Sequence, residues 1–391
     1  MPSDTCPRAA RRSALAHPCA PHWPARATRG VLLTALLLAA TPARAAEDAP
    51  HDVRPAPPAP PASSPWHALD EAHAGEACRR QLAAVRTDLQ ALPTTSLMAA
   101  RGDEVVFAQG RVDVPSIVHS VRKSLLAMLY GKPVQDGTIR LDDTLADLGI
   151  DDLGGLLPIE RQARVRDLLA ARSGVYHAAA NPGDDSAAAP PRGSRKPGEY
   201  FLYNNWDFNA AGTVFEQRTG RGIHDAFARD IAVPLGLQDF VLADQHRGGD
   251  ATRSRHLSYP FTLSTRDMAR IGELMLAHGR WNGVQLVPAD WTTRITTPVT
   301  RAADMHPPHV ARRGIDYGYL WWIPEEPADS PLAGAYMAWG MYGQFILVVP
   351  KSGMVIAAKH DLQASERAHP RQVHAEDFLA VARRLAEAPC D

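Results

Sequence analysis

Apolar residues recur at helical spacing over 66–92 and stop before Pro93, which predicts an opening helix. Two branched and apolar stretches, 95–100 and 104–108, flank an Arg101-Gly102-Asp103 turn as the arms of a hairpin would. The pattern then turns helical. It predicts a helix over 120–130 with Gly131 as its stop, and a short one over 165–172 closed near Gly174. Further helices follow over 205–219, 223–231 and 264–276, the last opening on the capping signal Ser264-Thr265-Arg266-Asp267. Strand character returns at 317–323, 335–339, 344–349 and 354–359, and an amphipathic helix over 373–388 closes the chain. Strands at both ends with helices between predict an α+β fold. One antiparallel sheet, flanked by helices, is assembled from both termini, and a mostly helical insertion over about 150–263 packs beside it across a cleft.

The first residues do not belong to that pattern. Positions 1–46 contain one acid, several arginines, the apolar run 31–40 and the small-residue triplet Ala43-Arg44-Ala45, which together read as a secretory signal peptide. Ten apolar residues span about 15 Å as a helix, half of a bilayer core, so a signal peptide fits better than a membrane anchor. A Pro/Ala-rich linker follows over 47–65, and the folded domain is expected over 66–391. This places the mature protein in the periplasm or outside the cell, without an integral membrane span.

Composition narrows the classes. With 42 Lys+Arg against 43 Asp+Glu, the chain has no field to gather nucleic acid, so a nucleic-acid partner is not expected. Sixteen histidines form neither HExxH nor HxHxD, so no metal and no cofactor is expected. No serine has glycine at both −2 and +2, which argues against a GxSxG nucleophile elbow. Two cysteines survive export, Cys78 and Cys390, either bridged across the chain ends or buried as separate thiols.

Three sequence elements carry chemistry. Ser120-Val121-Arg122-Lys123 is an SxxK motif at a helix start, where one helical turn brings the Lys123 amine over the Ser120 hydroxyl. Lysine is rare here, five in 391 residues, which lowers the odds of a chance match. Tyr203-Asn204-Asn205 supplies a phenol that can exchange a proton beside a lysine, and the Asn205 amide could hold the lysine and a substrate. The glycine-punctuated segment Ala338-Trp339-Gly340-Met341 lets backbone approach a ligand, and the N–H of Met341 could join that of Ser120 as an oxyanion donor.

These elements, in this order, resemble the serine beta-lactamase and penicillin-binding-protein superfamily. The similarity covers about 96–360, including GEYFLYNNWDFNAAGTVFEQRTG, VRDLLAARSGVYH and YGYLWW, and is strongest to the 6-aminohexanoate-dimer hydrolase and family VIII esterase group. The resemblance implies a beta-lactamase/transpeptidase-like fold. It also implies that Ser120 is the acylated nucleophile, Lys123 its activator, and Tyr203 and Asn205 the YxN pair. One position departs from the family. Where relatives place KTG, this chain has Ala338-Trp339-Gly340, with no cation for a substrate carboxylate. A neutral ester or amide is therefore favoured over a beta-lactam or a D-Ala-D-Ala peptide, and Trp339 and Tyr342 are expected to make the wall apolar. A non-catalytic homologue that only binds cell-wall peptides is the alternative outside enzymology. Which of Lys123 and Tyr203 is the base stays open, as does whether the aperiodic stretch 178–197 shapes the cleft.

Overall fold

The computed structural model describes residues 66–181, 183–362 and 371–390; the expected signal peptide and linker lie outside the described residues. An eight-stranded sheet forms the centre. It begins with β1 (His67–Ala68), β2 (Ser96–Arg101) and β3 (Glu104–Gly110). The spatial order is β1, β3, β2, then strands Met354–Lys359, Gln344–Val349, Tyr336–Gly340, Trp322–Pro324 and Ile315–Tyr317. The two ends of the chain meet where β2 pairs along the whole of Met354–Lys359, from Arg101↔Met354 to Ser96↔Lys359. This is the sheet built from both termini that the pattern predicted.

It is mixed rather than purely antiparallel. The first strand runs parallel to β3, with His67 opposite Glu104, because α1 (Glu76–Ala91) carries the chain over before β2 returns antiparallel to β3. The opening helix is correspondingly shorter than its periodicity suggests. The Asp70 carboxylate accepts the Ala72 N–H at 3.1 Å and turns the chain, so the helix starts only at Glu76.

Helix α2 (Val121–Gln135) does not stop at Gly131 but continues through Pro133. Glycine is there for space: an added Cβ would sit 2.7 Å from Pro288 Cδ and 2.8 Å from Trp291 Cδ1. The Trp291 indole N–H donates to the Ala127 carbonyl at 2.7 Å across that same contact. The expected strand over 317–323 is two strands joined by a tight turn, with Tyr317 opposite Trp322 and Leu320 at φ +62°. The Ser124 hydroxyl, inside α2, donates to the Leu320 carbonyl at 2.6 Å, so the turn that presents Trp322 is fastened to the helix bearing the SxxK lysine.

Between positions 150 and 263 lie α3 (Val165–Leu169), α4 (Asn205–Thr219) and the helix Ile223–Phe227, which continues through a π turn to Leu235. On the sheet side, helix Thr265–Leu276 presses against strand Met354–Lys359 so closely that a Cβ on Gly272 would lie 2.3 Å from Val355 Cγ1. None of the helices among the described residues is long and apolar enough to cross a membrane.

Cys78 in α1 and Cys390 after the last helix form a disulfide across a sequence separation of 312. Both are fully buried, so the bridge also packs α1 against helix Ala375–Ala386. Closing so long a loop restricts the unfolded chain strongly. Replacing both cysteines by alanine is expected to lower unfolding free energy by about 2–5 kcal/mol. Urea denaturation of the pair would show it, and an unshifted midpoint would contradict it.

Candidate active site

The nucleophile segment is held before α2 begins. Val118 donates its N–H to the Phe261 carbonyl at 2.9 Å, and His119 takes the left-handed conformation at φ +47°. Ser120 then occupies the N-cap position with helical dihedrals, so its hydroxyl makes no capping bond to the helix backbone. Instead Ser120 Oγ accepts from Lys123 Nζ at 2.8 Å. A serine that would ordinarily be spent on capping is thus left facing the lysine. The His119 ring meets the Tyr342 ring edge-on at 5.4 Å. Burial lowers the His119 pKa, and the Lys123 charge lowers it further, which favours a neutral imidazole beside the serine.

Lys123 is 1% exposed, and its Nζ also donates to the Tyr203 hydroxyl at 2.9 Å. The amine lies 4.2 Å from the centre of the Tyr203 ring and 4.4 Å from that of Phe208, which offset part of the cost of burying it. One buried cation therefore bridges a hydroxyl three residues away and a phenol eighty residues away.

Tyr203 is placed by the element that follows it. The Leu202 N–H donates to the Ala171 carbonyl at 2.9 Å. Asn204 caps α4, its side-chain oxygen accepting the Asp207 N–H at 3.1 Å. The Asp207 carboxyl accepts the Ser173 hydroxyl at 2.5 Å and fixes the loop before the cleft. Burial pushes that carboxyl up to about 8, against the lowering effect of its hydrogen bonds. Folded protein therefore retains a proton that the unfolded chain releases near its ordinary value of 3.8, so stability falls as pH rises from there to about 8. The Asp207→Asn variant is expected to show a shallower loss in urea titrations at about pH 5 and about pH 8. An unchanged slope would refute this.

The Asn205 amide is not on Lys123 as expected. Its oxygen accepts from Arg122 Nη2 at 3.4 Å and its nitrogen donates to the Asn181 carbonyl at 3.5 Å. The first turn of α4 points residue 205 away from residue 203, toward a separate cavity of about 270 Å³ that also includes His177 and Trp206. Those two residues accordingly do not line the cleft at Ser120. Trp206 is fully buried and donates to Asp152 at 2.7 Å.

The cleft itself holds about 400 Å³, with Ser120 and Tyr203 on one side and Trp322, Trp339, Gly340 and Met341 along the sheet edge. Glycine is required at 340, because a Cβ would come within 2.4 Å of the Val118 carbonyl, against the nucleophile segment. Met341 is 41% exposed at the mouth. Trp339 forms wall as expected. Tyr342 does not line this cleft; at φ +68° it turns to His119, and its N–H donates to Gln372 at 2.8 Å.

Sequence reasoning missed residues that reach the cleft from distant segments. Arg313 enters from before strand Ile315–Tyr317, so the wall is not wholly apolar. His374 and Glu376 enter from the start of the last helix. Asp185, from the aperiodic stretch, lies 3.2 Å from His309 Nε2 and also borders the cleft. No linear spacing linked these positions to Ser120.

A profile of the Beta-lactamase family matches residues 80–382, and the chain belongs to that family. Its fold recurs in solved structures. One is a Bacillus anthracis protein designated a 6-aminohexanoate-dimer hydrolase, 19% identical at a TM-score of 0.57, over 82% of this chain and 85% of that one. Another is a penicillin-binding-protein homologue from Caulobacter crescentus, 17% identical at a TM-score of 0.56, over 79% and 96%. A third is EstCE1, described as a hydrolase with promiscuous acyltransferase activity, 15% identical at a TM-score of 0.54, over 80% and 98%. Comparison with curated proteins returns no match. The family and these relatives define a beta-lactamase-related serine hydrolase fold, with the mixed sheet and flanking helices described above.

Proposed function

We propose that this protein is an exported serine hydrolase that cleaves an ester or amide through an acyl-enzyme on Ser120. The observation that carries the reading is Lys123 Nζ, within hydrogen-bonding reach of both Ser120 Oγ and the Tyr203 hydroxyl. In the first half-reaction the Ser120 proton passes to the Lys123–Tyr203 pair as Oγ bonds to the acyl carbon. The backbone N–H groups of Ser120 and Met341 are assigned to the oxyanion. The bond to the leaving alcohol or amine breaks, and that group departs with the proton. Water then adds to the acyl carbon, its proton returning through the same pair, and the acid is released.

Export is supported by the leader-like N-terminus and by the buried Cys78–Cys390 disulfide, a bond typical of oxidising compartments. Ester or amide over beta-lactam is supported by Ala338-Trp339-Gly340, a strand segment that carries no cation of its own beside Ser120, Arg313 reaching the cleft from another segment. A panel of p-nitrophenyl esters, linear amides and a chromogenic cephalosporin tests the ranking. Faster turnover of the esters or amides is expected, and faster turnover of the cephalosporin would overturn it.

A further inference from the structure

Arg313 makes no ion pair with any described residue, although it lines the cleft that contains Ser120. Its guanidinium lies over the Trp339 ring, 5.2 Å from the centroid. Stacking of this kind holds the group through its flat face and leaves its in-plane N–H donors unused. Those donors match the two oxygens of a carboxylate. Trp339 in turn belongs to a row of rings that starts at the proton-transfer phenol: Tyr203 lies 5.2 Å from Trp322, and Trp322 lies 5.4 Å from Trp339. The row is an apolar track with a proton-transfer site at one end and an unpaired cation at the other.

We propose that Arg313 binds a carboxylate carried by the substrate at a distance from the scissile carbonyl, across an aliphatic or aromatic spacer lying on Trp322 and Trp339. The substrate class is thus a monoester or monoamide of a dicarboxylic acid, or a compound of equivalent reach and charge. This inference rests on the hydrolase reading and narrows it. Two acids border the same cleft, and both bear on the charge it accepts. Asp185 faces His309, and Glu376 sits exposed in the first turn of the last helix. They oppose a second negative charge, so the site takes one carboxylate, at Arg313.

The test uses binding, so that it does not depend on turnover. Adipic acid monoanilide and its neutral methyl ester are titrated calorimetrically into full-length Ser120→Ala protein. The anion is expected to bind about ten- to a hundredfold more tightly, with the preference shrinking as salt is added. Adding Arg313→Gln should bring the two affinities together, while Arg313→Lys, which keeps the charge and loses the fork, should retain part of the preference. Equal affinities in Ser120→Ala protein, no binding of the anion at all, or a preference that survives Arg313→Gln would each overturn the inference. Circular dichroism of each variant checks folding, and the lysine variant decides the matter if the glutamine variant does not fold. Failure of the hydrolase reading shows separately, as wild-type protein inert toward every p-nitrophenyl ester.

Discussion

Ser120→Ala is expected to lower kcat for a p-nitrophenyl ester by on the order of 10⁴-fold or more, because no other group can carry the acyl intermediate. Folding should survive. The Ser120 hydroxyl makes no capping bond to α2, and its described partner is the Lys123 amine, which also bonds Tyr203. The thermal midpoint should therefore stay close to that of wild type while activity collapses. A variant that retains more than a small fraction of wild-type turnover would place the nucleophile elsewhere.

The second large effect falls on the proton-transfer pair. Lys123→Met removes the cation that bridges Ser120 and Tyr203, and Tyr203→Phe removes only a hydroxyl from a ring packed against Phe208 and Trp322. Each is expected to cost about 10²- to 10⁴-fold in kcat, the range for a lost general acid or base. The double variant should cost much less than the product of the two, because the groups act as one relay. Single-turnover kinetics on all three proteins measure this. Multiplicative losses would mean that the lysine and the tyrosine work independently.

The parts of this site that were legible in the sequence are those fixed by local geometry. A spacing of three on a helix puts Lys123 over Ser120 whatever surrounds them. The strands Gln344–Val349 and Met354–Lys359 are buried at every position, and their apolar runs predicted them with the same bounds. What escaped notice depends on distant neighbours. Gly131 reads as a stop until Trp291 is seen to need its space. Asn205 is two residues from Tyr203 in sequence, yet the twist of α4 delivers its amide to Arg122 and Asn181. Arg313 carries no motif at all, and its place beside Trp339 arises only because strand Trp322–Pro324 pairs with both Ile315–Tyr317 and Tyr336–Gly340. Helix periodicity over 66–92 overran because Asp70 can hydrogen-bond its own backbone and turn the chain before Glu76.

The Ser120 hydroxyl, held by a Lys123 amine that also bonds Tyr203, is the group expected to become acylated. Peptide mapping by mass spectrometry after brief exposure to a fluorophosphonate reads it directly. A single adduct is expected, on the peptide containing Ser120, forming much more slowly in the Lys123→Met protein. An adduct on another serine, or labelling of Ser120 at an undiminished rate without Lys123, would contradict it.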